Sequence, residues 1–146
     1  MRLVASGIAL SLVVAMLASA AAQQKNALKA AFIDGAYTIG TKGCAKLKAI
    51  ERGGPKSLNT VPWTLDADGF HGWEGGCTFS KITEALKGKE WLIEAECAEA
   101  AEESKESYRL VRTSPTTFAI TLTTPGTEAA DRKPITYSRC NAKVRF

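Results

Sequence analysis

Apolar and polar residues alternate along most of this chain, and alternation with a period of two is the signature of half-buried β-strands. In FIDGAYTIG (32–40), Ile33, Gly35, Tyr37 and Ile39 share one face, while Asp34, Ala36 and Thr38 share the other. VPWTLD (61–66) repeats the pattern with Val61, Trp63 and Leu65, and FHGWEGGCTF (70–79) with Trp73, Cys77 and Phe79. EWLIEAECAE (90–99) sets Trp91, Ile93, Ala95 and Cys97 against Leu92, Glu94, Glu96 and Ala98. SYRLVRT (107–113), TFAITLT (117–123) and PITYSRC (134–140) complete a set of seven predicted strands. In the last of these Tyr137 shares a face with Ile135, and Cys140 points the other way.

One segment breaks the period. In TKGCAKLKAIERGGPKS, Cys44, Leu47 and Ile50 recur at helical spacing until Gly53, Gly54 and Pro55 stop them, which predicts a short helix over 45–52. Asn26 is placed to cap a further helical turn through Lys29, or the segment is an irregular lead-in. The acidic run AEAAEESKES (98–107) reads as a loop or a helical turn. Gly72, Gly75 and Gly76 mark a bulge, a sharp bend or a close backbone approach. Turn residues separate the strands, and no helical crossover units lie between them. The expected fold is therefore mainly β, a single-domain antiparallel meander of about seven strands, as a curved sheet or a small closed barrel, with one short helix.

The amino terminus changes the compartment. Met1 and Arg2 precede an apolar run that ends in small residues, the pattern of a secretory signal cleaved after Ala20 or Ala22. That leaves residues 23–146 as one β-domain in the periplasm or outside the cell, with no membrane span after removal of the signal. The domain loses Arg2 and no acid, so 18 basic residues stand against 15 acids, a net charge near +3. So mild a charge argues against nucleic-acid binding.

All four cysteines follow the signal and face an oxidising compartment. Their spacings of 33, 20 and 43 residues contain no Cys-x-x-Cys pair. Folding the chain about Lys87, Gly88 and Lys89 sets Cys77 opposite Cys97 on the apolar face, which leaves Cys44 to pair with Cys140.

The Gly35-x-Tyr37 pair in the opening strand resembles the Gly-x-Trp start of lipocalin-type barrels. In size, compartment and architecture the domain is also similar to small disulfide-tied periplasmic sheets, lysozyme-inhibitor types among them.

Candidate chemistry is sparse. His71 is the single histidine, and the cysteine nearest to it on the same strand, Cys77, is expected in a disulfide and so is no nucleophile. Asp66 and Asp68 precede Gly69 as turn residues, without the oxygen ligands or closing Glu of a calcium loop. Nucleophile-elbow, zinc-protease and phosphate-loop motifs are missing. The expectation is a protein that is not an enzyme and uses no cofactor or metal. Tyr37, Trp63, Trp73, Phe79, Trp91 and Phe118 form either the packed core or the lining of a pocket. Glu94, Glu96, Glu99, Glu102 and Glu103 form either a solvated surface or a patch that docks a basic protein. Two functions follow: binding of a protein or envelope component, or a lipocalin-like carriage of a small apolar ligand in a barrel interior.

Overall fold

A sheet whose inner positions are apolar and whose outer positions are polar can bury its inner side chains by curling onto itself. The computed structural model, which describes residues 27–143, has that form. Eight antiparallel strands run in chain order around a closed barrel. They are β1 (Ala36–Ile39), β2 (Thr64–Asp66), β3 (Gly69–His71), β4 (Gly75–Leu86), β5 (Glu90–Glu99), β6 (Glu102–Ser114), β7 (Thr117–Leu122) and β8 (Ile135–Cys140). Closure is made by β1, which pairs with β2 on one side and with β8 on the other, Tyr37 opposite Arg139. The signal-peptide segment lies outside the described residues.

The eighth strand arises where the glycines cluster. The predicted strand 70–79 is two strands, β3 and β4, joined by a reversal in which the Gly72 N–H donates to the Gly75 carbonyl at 2.8 Å. The acidic run is also extended rather than looped, because Glu102–Lys105 open β6 and pair with β5, Lys105 opposite Glu96. Here the long hairpin runs past the packed interior, so both of its faces are polar and the period-two signal vanishes.

Inner positions fill the barrel. Tyr37, Leu65, Phe70, Phe79, Ile93, Leu110 and Phe118 are almost wholly buried, with Trp91, Ala95, Cys77 and Cys97 in the same cluster. Cys77 and Cys97 sit directly opposite one another and form one disulfide.

Helix α1 (Gly40–Glu51) follows β1 at once and begins before the predicted 45–52. Its buried residues are Gly43, Leu47 and Ile50, and Leu47 packs with Ala36, Cys44, Cys140 and Ala142 outside the barrel. The helix comes very close at Gly43, where a Cβ would lie 2.5 Å from Thr38 Oγ1. The Cys44–Cys140 disulfide spans 96 residues and ties this helix to the last strand.

The two ends of the barrel differ. At one end the lead-in 27–35 crosses as a non-helical strap, the Leu28 N–H donating to Phe79 O at 3.0 Å and the Ala30 N–H to Ala67 O at 2.8 Å. Phe32 stacks on Trp91 with centroids 3.9 Å apart, and Ala30 and Ile33 are buried. Arg112, from an inner position of β6, donates to Phe32 O at 2.7 Å and lies over the rings of Trp91 and Phe118. Its Nε is buried without a hydrogen-bond partner among the described residues. That end is plugged.

Candidate functional site: the open mouth of the barrel

At the other end β1 and β7 finish and β2 and β8 begin, and nothing equivalent to the strap crosses among the described residues. An open, mainly apolar cavity of about 480 Å³ lies there. It is lined by the aromatic residues Trp63, Phe70, Tyr108 and Tyr137 and by the aliphatic residues Ile39, Ile120, Leu122 and Ile135. Ala130, Asp131 and Lys133 from the β7–β8 loop form part of the rim.

Each side chain is placed by strand parity. Phe70 is at an inner position of β3, registered with Leu65 and Cys77. Its ring lies 4.7 Å from that of Tyr108 and 6.2 Å from that of Tyr137. Trp63, just before β2, lies nearly parallel to Phe70 at 6.5 Å and keeps 37% of its surface exposed. The floor is solid, because Tyr37 and Phe118 meet edge to face at 5.0 Å beneath it.

Two hydroxyls give the apolar mouth polar character. Tyr108 donates to Glu106, two residues along the same inner row of β6, and its oxygen lies 3.8 Å from Cys77 Sγ. Burial, and then the Glu106 hydrogen bond, push the Tyr108 hydroxyl well above its ordinary range. Burial alone raises Tyr137, which is only 4% exposed and has no hydrogen-bond partner among the described residues. At the plugged end Tyr37 donates to Asp34 at 2.7 Å, and burial followed by that bond raises its hydroxyl to about 12.

The structure separates the six aromatic candidates. Tyr37, Phe79, Trp91 and Phe118 are packed core beneath the mouth, and Trp73 is 46% exposed in the β3–β4 reversal. Of the six, Trp63 alone lines the cavity. Ile39, Phe70, Tyr108, Ile120, Leu122, Ile135 and Tyr137 carry most of the rest of the lining. That they meet at one end of the barrel follows only once strand direction and closure are known.

The acidic candidates lie elsewhere, on β5 and the start of β6. Glu94 faces Lys81 across the β4–β5 pair, with Nζ and Oε1 2.9 Å apart, and Glu96 is registered with Lys105. Glu99 and Glu102 stand opposite one another at the hairpin end, and Glu103 lies beside them in register with Ala98.

His71 and Cys77 do not meet as a pair. His71 is registered with Gly76 and its Nε2 lies 2.9 Å from Asp66 Oδ1, whereas Cys77 is at an inner position and oxidised. Burial raises the Asp66 carboxyl, but the hydrogen bonds from His71 and from the N–H groups of Asp68 and Gly69 outweigh it and leave the group below its ordinary value. Cys77, Cys97 and Glu106 bring ligand-type atoms within 4.8 Å of one another, yet both sulfurs belong to the disulfide and are not thiolates.

Comparison with protein-family models, curated proteins and solved structures finds no match to this chain. No helix among the described residues is long and apolar enough to cross a membrane. The two disulfides are compatible with an extracellular or periplasmic location.

Proposed function

We propose that this chain is an exported, non-enzymatic binding protein that takes a small apolar ligand into the open mouth of its barrel. The observation that carries the reading is the asymmetry of the two ends. One is closed by the strap and Arg112, and the other opens into an apolar cavity of about 480 Å³. That volume lies within the usual range of small-molecule sites, about 300–1,000 Å³. Apolar mouth residues left in water cost free energy that a ligand of matching shape recovers. The test is a titration with the neutral fluorescent dye N-phenyl-1-naphthylamine. Saturable binding of one dye per chain, lost on Leu122→Lys, supports the reading; unsaturable binding, or binding indifferent to Leu122→Lys, removes it.

A second reading, docking of a basic protein or envelope component, is favoured by one feature. Glu99 and Glu102 face each other directly across the β5–β6 pair, an arrangement of like charges that costs stability by itself. A cationic partner would relieve it. Replacement of Glu99, Glu102 and Glu103 by Gln then abolishes a salt-sensitive interaction; a partner that still binds the triple variant excludes this patch.

A further inference from the structure

We infer that the ligand of the mouth is a compact planar aromatic carrying a hydroxyl group, anchored by the hydroxyl of Tyr137, rather than a long acyl chain. The inference rests on the mouth being a ligand site and adds the chemical class.

Depth argues first. The floor is set by Phe70 and Tyr137, both buried, with Tyr37 and Phe118 packed beneath. On β8 the wall rises two residues from this floor, Tyr137 to Ile135, and on β7 it rises four, because Phe118 is opposite Tyr137 and Leu122 lies two residues beyond Ile120, the partner of Ile135. Two residues of strand span about 7 Å and four about 13 Å. A long acyl chain would therefore overtop the shorter wall, whereas a one- or two-ring aromatic fits within the cup.

The wall argues second. The rings of Trp63, Tyr108 and Tyr137 gather around that of Phe70 in the cavity lining. Offset and edge-to-face contacts with such rings favour a flat aromatic ligand over a flexible aliphatic one.

The hydroxyls argue third and most specifically. Tyr137 is 96% removed from solvent and lines the cavity, and its O–H has no partner among the described residues. The hydroxyl opens onto the cavity, where an acceptor on the ligand can take its hydrogen bond in place of water. The rings of Tyr108 and Tyr137 lie 4.7 Å and 6.2 Å from that of Phe70, and no hydrogen bond joins their hydroxyls. Tyr108 gives its own proton to Glu106, which leaves its oxygen as an acceptor. A ligand hydroxyl at this floor would accept from Tyr137 and donate to Tyr108, using both functions of one O–H group.

The test is displacement of bound N-phenyl-1-naphthylamine from the mature protein by three competitors: 5-indanol, indane and dodecanoate. The expected result is that 5-indanol competes at about three- to tenfold lower concentration than indane, the size of one recovered hydrogen bond. In Tyr137→Phe that preference disappears while indane competes as before, and dodecanoate is the weakest of the three. Equal competition by 5-indanol and indane, a preference that survives Tyr137→Phe, or stronger competition by dodecanoate would each overturn the assignment while leaving the mouth a binding site. Failure of the dye itself to bind saturably would remove the site, and the ligand class with it.

Discussion

The indole of Trp63 rests on the backbone of Gly72, so closely that a Cβ there would lie 2.4 Å from the ring atoms Cε3 and Cζ3. A glycine in the β3–β4 reversal thus makes room for the most exposed aromatic of the mouth. Gly72→Ala must push the ring away or shift the reversal, and overpacking of this kind typically costs about 1–3 kcal/mol. The expected outcome is weaker dye binding together with a changed tryptophan emission maximum; unchanged values for both would show that the ring position does not define the mouth.

The strap depends on Arg112. Its guanidinium holds Phe32 O at 2.7 Å and covers Trp91 and Phe118. A hydrogen bond from a charged donor is worth about 1.5–3 kcal/mol. Arg112→Leu should therefore speed amide exchange at Leu28 and Ala30, which bond across to the barrel, and leave the β4–β5 amides protected. Equal loss of protection throughout would mean that the strap and barrel open only together.

The disulfides should contribute unequally. Loop closure over 96 residues is worth roughly 4.7 kcal/mol and over 20 residues roughly 3 kcal/mol by the chain-entropy estimate. Urea unfolding of the Cys44→Ala/Cys140→Ala protein is expected to show the larger loss from that term. Cys77 and Cys97 add the cost of a cavity in the core, so a greater loss in Cys77→Ala/Cys97→Ala would assign the excess to packing.

High pH should unfold the barrel. Tyr37 has its hydroxyl raised from 10.0 to about 12, and Tyr108 and Tyr137 are raised as well. The unfolded chain gives up these protons first, so the stabilisation is complete below pH 10.0 and drains away as pH rises toward 12. Asp66 acts in the opposite sense. Its lowered carboxyl supplies stability above the ordinary value of 3.8 that is lost as pH falls through the lower folded value. Denaturation midpoints across pH measure both limbs, and Tyr137→Phe should soften the alkaline one.

Alternation carries the inner row of β5 and the Cys77–Cys97 register, because both follow from side-chain parity, and the pairing of Cys44 with Cys140 then follows by elimination. It fails where parity has no consequence. The start of β6 is polar on both faces and reads as loop, yet Glu102–Lys105 are strand. The split of 70–79 was visible as three glycines but not as a reversal, since glycine permits several backbone paths and the choice is made by pairing with β2 and β5. Most of the mouth is hidden for a different reason: Phe118 and Tyr137 are direct cross-strand partners, yet only Tyr137 lines the cavity, a difference set by packing inside the closed barrel and not by parity.

Methyl-resolved NMR during a titration with 5-indanol tests the mouth most directly. Shifts confined to Ile39, Ile120, Leu122 and Ile135, with Leu65, Ile93 and Leu110 unmoved, are the expected result. Shifts gathered instead on Leu92 and Leu86 of the long hairpin, or no shift at any methyl, would contradict a ligand site in the barrel mouth.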